Sequence, residues 1–109
     1  MSFASMETHI ILLLQQDNDP RSRVWSDHCS LQSAIEYILG VYMSRKDVTL
    51  ETLDFVQFAE FFDSIYDCVP LVYDSHFRAY VPFEKKWLLA RIDQYLKIPV
   101  KPPYEEVSA

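Results

Sequence analysis

The chain has 109 residues, a length typical of one domain, and its 50% hydrophobic and 15% aromatic content excludes a disordered chain. Its formal net charge of -6 argues against a dedicated nucleic-acid surface, because phosphate binding depends on clustered Lys and Arg. No apolar run approaches the ~20 residues that span a bilayer, so no membrane partner is expected.

The first predicted element is a strand from Thr8 to Gln15, which contains five consecutive branched aliphatic residues, Ile10 to Leu14. Because successive strand side chains point to opposite sides, both faces of this strand need cover. The segment before it, residues 1–6, is predicted to be a flexible extension. Residues 16–21 have turn chemistry, and residues 22–26 are expected to pair back onto the first strand as a hairpin.

Two helices are predicted to follow the hairpin. Asp27 or Ser30 can cap the first, whose apolar residues recur at helical spacing and which should end within residues 44–47. The second begins near Thr52 or Asp54. Its predicted buried stripe consists of Phe55, Phe58, Phe62 and Ile65.

Two more strands and a third helix complete the pattern. The strands are expected over residues 69–73 and 77–81, with a turn at residues 74–76, and the helix from Phe83 to about Lys97. Pro70 is tolerable only where its missing N–H faces no neighbour, at a strand start or an edge. The Pro-rich tail, residues 99–109, is predicted to be flexible, which leaves residues 7–98 as the domain.

The order ββααββα favours an α+β fold, with a four-stranded antiparallel sheet and three helices on one face. The other face, on the side of Ile11 and Leu13, would then be apolar and uncovered, and such a face usually marks an association surface. A symmetric homodimer formed through the open sheet face is the simplest closed solution. The predicted interface residues are Ile11, Leu13, Val72 and Tyr80.

Four aromatic residues exceed what the core stripes require and are candidates for peptide binding: Trp25, Phe61, Tyr66 and Trp87. The alternative, that they pack under loops or at the dimer interface, stays open at this point.

Nothing in the sequence predicts catalytic, metal or cofactor chemistry. His9, His28 and His76 fall on a strand, a helix entry and a turn without the i, i+4 spacing of metal ligands. With one glycine, a Gly-rich phosphate loop is not possible. Cys29 and Cys68 are expected to be reduced thiols of an intracellular protein, because no signal peptide is recognisable.

Several separated segments resemble the enhancer of rudimentary family. They are THIILLLQ at residues 8–15, FAEFFDSI at 58–65, LVY at 71–73 and YVPFEKKW at 80–87. The chain departs from the family pattern in a shorter connection between the first two helices, at Cys68 and Pro70, and in the Pro-rich tail. These departures predict a diverged paralogue.

The resemblance implies a homodimeric, non-enzymatic adaptor that binds short segments of RNA-processing proteins. The family's settings are small-RNA pathways (piRNA or microRNA) and messenger-RNA elimination, which implies the nucleus, the cytoplasm or perinuclear RNA granules. The alternative function is a direct single-stranded RNA-binding domain, although the acidic charge disfavours contact with nucleic acid.

Overall fold

In a computed structural model, which describes residues 8–97, four strands and three α-helices follow one another in the predicted order ββααββα. The strands are β1 (Ile10–Gln15), β2 (Arg23–His28), β3 (Asp67–Asp74) and β4 (Ala79–Pro82), and the helices are α1 (Leu31–Lys46), α2 (Phe55–Ser64) and α3 (Lys85–Leu96). The predictions for residues 1–6 and 99–109 fall outside the described residues. The predicted α+β class is confirmed.

The sheet is antiparallel, with strand order β2-β1-β3-β4. β1 therefore pairs along both edges, and its register places Leu13 opposite Trp25 of β2 and Val69 of β3. Between β1 and β2, Pro20–Ser22 form one 3-10 turn. At the β3–β4 turn, the carboxylate of Asp74 accepts a hydrogen bond from the backbone N–H of His76 at 2.8 Å.

The alternation along β1 divides its aliphatic residues between the two faces of the sheet. Ile10, Leu12 and Leu14 are buried beneath the helices, whereas Ile11 is half-buried and Leu13 is exposed. The branched run thus supplies one row to the core and one row to the opposite face.

Polar side chains cap the starts of α1 and α2. Ser30, rather than Asp27, caps α1 by accepting a hydrogen bond from the backbone N–H of Ser33, because Asp27 still belongs to β2. Asp54 caps α2 by accepting from the backbone N–H of Val56 at 2.8 Å. Asp47 caps the C-terminal end of α1, and its φ of 55° lies in the left-handed region.

The core lies between the sheet and the three helices. α1 packs over β1 and β2, α3 packs over β3, and α2 contacts α3. Phe58 and Phe62 of α2 are fully buried and stack with ring centroids 5.8 Å apart, and Tyr42 of α1 meets Phe58 edge-on at 5.2 Å. The remaining side chains of this core are Ile10, Leu12, Leu14, Leu31, Ala34, Ile35, Ile38, Leu39, Ile65, Cys68, Val72, Leu88, Ile92 and Tyr95.

Pro70 lies in a central strand, not at an edge or a strand start. The backbone N–H of Tyr73 points to β1, where it donates to His9, so the nitrogen of Pro70, three residues away, points to the β4 side. β4 ends at Pro82, which pairs with Leu71, so Pro70 lies one residue beyond the β4 pairing. The Pro70 carbonyl still accepts from the backbone N–H of Phe83 at 3.0 Å, so the missing donor affects only the end of the β3–β4 ladder.

Candidate interaction surface

The sheet face opposite the helices, which we term the open face, is mostly apolar at its centre. Leu13, Trp25 and Tyr80 are 40%, 68% and 39% exposed there. In residues 8–97 the helices pack on the other face. By strand register, the open face consists of Ile11, Leu13, Gln15, Arg23, Trp25, Asp27, Asp67, Val69, Leu71, Tyr73, Tyr80 and Pro82.

Three of the four predicted interface residues lie on the open face, and the fourth does not. Ile11, Leu13 and Tyr80 share this face, whereas Val72 pairs with Ile10 and is 0% exposed within the helix-covered core. The assignment of Val72 to the interface is therefore wrong. On β3 the open-face positions are its neighbours Leu71 and Tyr73, because side chains alternate along a strand.

A polar cluster occupies one end of the open face. The His9 Nε2 atom contacts a carboxylate oxygen of Asp27, and its Nδ1 atom lies 2.7 Å from the Tyr80 hydroxyl. Tyr80 reaches His9 across Tyr73, with the two tyrosine rings 5.3 Å apart at 64°. His9, just before β1, thus links Asp27 of β2 to Tyr80 of β4 in one hydrogen-bonded chain.

The opposite end of the open face is also polar. Arg23 donates from Nε to the Gln15 side-chain oxygen at 2.8 Å, and Gln15 donates from Nε2 to the carbonyl of Asp17 at 2.8 Å. An apolar centre bounded by polar ends is typical of an association surface.

The four aromatic candidates do not form one site. Trp25 lies on the open face, whereas Phe61 contacts Tyr42 at 5.0 Å on the helical side. Trp87 packs on Phe83 at 4.5 Å, and Tyr66 is 61% exposed. Within residues 8–97 no ring contact joins any two of the four.

Phe61 does line a groove between α1 and α2, with a cavity volume of about 520 Å³. Its apolar part comes from Tyr42, Val48 and Phe61, whereas Lys46 and Glu60 place opposite charges on the walls contributed by α1 and α2. Gln57 and Ser64 complete the lining. This groove could hold a short segment with one apolar side chain.

A second cavity, of about 360 Å³, lies between α2 and α3. Its Lys85 donates from Nζ to the backbone carbonyls of Asp63 and Ile65 at 3.2 and 2.5 Å. These carbonyls belong to the last turn of α2 and to the residue after it, where helical partners run out. Lys85 therefore stabilises the junction of α2 and α3, and its amine is not free for a ligand.

His28 and Cys68 are buried groups with shifted pKa values. Desolvation by burial lowers the pKa of His28, and His9 lowers it further, while Asp27 opposes the shift. The His28 ring nitrogens lie 2.7 Å from the Ser26 hydroxyl and 3.0 Å from that of Ser33. Burial raises the pKa of the Cys68 thiol to about 12.

The polar cluster was missed in the sequence because its members are far apart in the chain. His9 and Asp27 meet diagonally, since Ile11 is the direct partner of Asp27. The alternation of side chains along an extended chain could have indicated the face of His9, because His9 is two residues before Ile11 and so lies on the same face. The position of Tyr80 depends on the register of β4, which the sequence does not specify.

Two other observations concern possible ligands and membranes. Among residues 8–97, no three His, Cys, Asp or Glu side chains are placed to hold a metal ion together. No helix in that part of the chain combines the length and the apolar character needed to cross a bilayer.

Comparisons with known proteins agree on one family. The family model described as "Enhancer of rudimentary" matches residues 6–102. Enhancer of rudimentary homolog 1 of Schizosaccharomyces pombe is 61% identical over 97 residues, which span 88% of this chain and 93% of the relative. The enhancer of rudimentary homolog of Dictyostelium discoideum is 36% identical over 95 residues, which span 83% of this chain and 95% of the relative. An Arabidopsis thaliana homolog is 29% identical over 94 residues, which span 82% of this chain and 86% of the relative.

Proposed function

Since this chain belongs to the enhancer of rudimentary family, we propose that it acts as a homodimeric, non-enzymatic adaptor that binds short segments of RNA-processing proteins. The observation that supports the proposal most directly is the apolar centre of the open face, where Leu13 and Trp25 are exposed beside Ile11. The relatives are named as enhancer proteins, and these names describe no catalytic activity.

A second copy of this chain is the proposed partner of the open face. A twofold axis would place the same apolar centre on both sides of the contact, so each copy would cover the other's Ile11 and Leu13. Burial of apolar surface contributes about 25 cal/mol per Å², which makes the exposed centre the main source of association energy. The polar ends would then flank the apolar contact.

The proposed site for a partner segment is the α1–α2 groove. Its apolar part and its two wall charges, Lys46 and Glu60, suit an amphipathic segment that carries one apolar anchor. Phe61 is the predicted aromatic residue that belongs to this groove. Trp25, Tyr66 and Trp87 remain candidates for contacts elsewhere on the dimer.

The proposed setting is a small-RNA or messenger-RNA elimination complex in the nucleus or cytoplasm. Its support is the family membership alone. In this setting the protein would join RNA-binding partners without contacting RNA itself, in keeping with its net charge of -6.

The first experiment tests self-association. Sedimentation of the purified wild type should show a dimer, and the Ile11→Arg/Leu13→Arg variant should be monomeric or insoluble, because charge would enter a desolvated face. Val56→Arg/Phe77→Arg is the matched control, since both residues are exposed and apolar but lie outside the open face. A soluble, fully dimeric Ile11→Arg/Leu13→Arg variant would contradict the proposed interface.

The second experiment tests the adaptor role. Affinity purification with and without RNase, read by mass spectrometry, should recover partner proteins that survive RNase and are lost with the monomeric variant. Glu60→Arg should lose those partners while staying dimeric, whereas Glu51→Arg, an equal charge change outside the groove, should keep them. Partners lost on RNase treatment would instead favour direct RNA binding.

A further inference from the structure

The polar cluster on the open face contains a histidine with both ring nitrogens engaged. His9 Nε2 contacts the Asp27 carboxylate, which can only accept, so this nitrogen carries a proton. In the neutral imidazole the Nδ1 atom then accepts a hydrogen bond from the Tyr80 hydroxyl at 2.7 Å. In the protonated imidazole Nδ1 donates to the same oxygen. Both charge states therefore fit the same geometry.

Asp27 is the charged group in contact with this imidazole. The His9 and Asp27 side chains are 36% and 62% exposed, so water now solvates the carboxylate. Tyr73 of β3 and Tyr80 of β4 supply the other facing groups. Among the ion pairs within residues 8–97, none joins Arg78 of the β3–β4 turn to the cluster. Of the other titratable groups, Arg23 and Asp67 lie at the far end of the open face, and His76 packs on Phe77 in the turn. His28 lies on the helical face, and it interacts electrostatically with both His9 and Asp27.

Covering the open face would change the balance between the two charge states. With a neutral imidazole, the Asp27 carboxylate loses water without gaining a counter-charge, and a desolvated, unpaired charge is costly. With an imidazolium, the pair is neutral as a whole. Association through the open face therefore favours protonation of His9. By linkage, protonation of His9 favours association through that face.

We propose that self-association through the open face is coupled to protonation of His9, so that two copies of this chain associate more tightly as the pH falls through the range near neutrality. This inference rests on the homodimer proposed above. It makes the His9–Asp27 pair a proton-sensitive part of the dimer interface, with Tyr80 holding the imidazole in place.

The test is the dimer dissociation constant of the full chain, measured by sedimentation equilibrium at about pH 6, 7 and 8. In the wild type we expect the constant to fall by about tenfold or more from pH 8 to pH 6, since uptake of one proton per subunit changes it by up to about a hundredfold per pH unit. Circular dichroism at each pH confirms that the chain stays folded.

Two variants separate His9 from other titrating groups. His9→Gln keeps a donor for Asp27 and an acceptor for Tyr80 but cannot take up a proton, so its dissociation constant should vary by less than about twofold. The other titrating groups are unchanged in His9→Gln, so any effect of their protonation on the dimer is also present in this variant. In Asp27→Asn an imidazolium would have no counter-charge, so acidification should weaken the dimer instead of strengthening it.

A measurement on the wild type alone supports the variants. The midpoint of His9 protonation, followed by NMR, should move to higher pH when the protein is concentrated enough to dimerise. A dissociation constant that does not change with pH, or an equal change in His9→Gln, overturns the inference and leaves the adaptor proposal intact. A wild type that is monomeric at every pH and concentration overturns the homodimer itself.

Discussion

Among single residues, Cys68 gives the most direct test of burial. Its thiol is buried and its pKa is raised to about 12, whereas Cys29 is exposed. Because the thiolate is the reactive form, Cys68 should be nearly inert at mildly alkaline pH. We expect a thiol reagent to modify one cysteine in the native protein and both in denaturant. In Cys29→Ser, fast native labelling should disappear; if it persists, Cys68 is accessible.

His28 should make stability depend on pH. Its folded-state pKa is lowered, mainly by desolvation, so the unfolded state binds more protons below about pH 6.5. Its contribution to the free energy of unfolding is therefore complete above that pH and is lost as the pH falls toward the folded-state pKa. Urea unfolding at about pH 7.5 and 5.5 should show a larger decrease in the wild type than in His28→Gln. Equal decreases would contradict the assignment.

For single residues of the open face, the sequence predicts the side of the sheet in β1 but not in β3. The alternation in β1 is unambiguous because five aliphatic residues follow one another, so the faces of Ile11 and Leu13 could be predicted. In β3, residues 69–73 are all apolar, and the choice between Leu71 and Val72 depends on the register against β1. Pattern alone does not fix that register.

Among the elements, α1 ends at a residue in an unfavourable conformation. Asp47 has a φ of 55°, and its backbone N–H donates to the carbonyl of Met43. Glycine adopts this conformation without the steric cost, and its introduction also removes a negative charge from a helix C-terminus. Asp47→Gly should raise the free energy of unfolding by about 0.5–1 kcal/mol.

Two control variants separate the causes of this effect. Asp47→Asn removes the charge alone, so the remaining difference from Asp47→Gly reports the backbone term. Lys46→Gly, one residue earlier and inside the helix, should instead lower the free energy of unfolding by about 0.5–1 kcal/mol. Urea unfolding measures all three, and a destabilised Asp47→Gly would contradict the interpretation.

The elements themselves were largely predictable, and the differences are confined to their ends. The caps at Ser30 and Asp54 follow from side chains that can accept from the first backbone N–H groups of a helix. β2 continues to His28, two residues beyond the prediction, because pairing with β1 extends the strand past its β-favouring residues. Tertiary pairing, not local propensity, sets this boundary.

At the scale of the whole molecule, a dimer should make thermal stability depend on concentration. Because only the folded chain presents the open face, association shifts unfolding by mass action. The Tm of the wild type should rise by a few degrees between about 1 and 100 μM protein, and that of Ile11→Arg/Leu13→Arg should not change. A wild-type Tm that is independent of concentration would argue against a stable dimer in this range.

The fold class and the uncovered apolar face could both be predicted, because they follow from element order and alternation. The groove and the polar cluster could not. The groove depends on how α1 and α2 pack, which brings Phe61 beside Tyr42. The cluster depends on His9, Asp27 and Tyr80, which are far apart in the chain, meeting in space. Family resemblance indicated a partner class, but not which surface receives it.

The central position of β1 has a consequence for amide hydrogen exchange. Its backbone is hydrogen-bonded to β2 and β3, and its Ile10, Leu12 and Leu14 side chains are buried. Its amides should therefore exchange only when the whole domain opens, whereas those of β4, four residues at the sheet edge, should exchange through local opening. In the proposed homodimer, the strand whose outer row would meet the second subunit is therefore also the strand expected to open last.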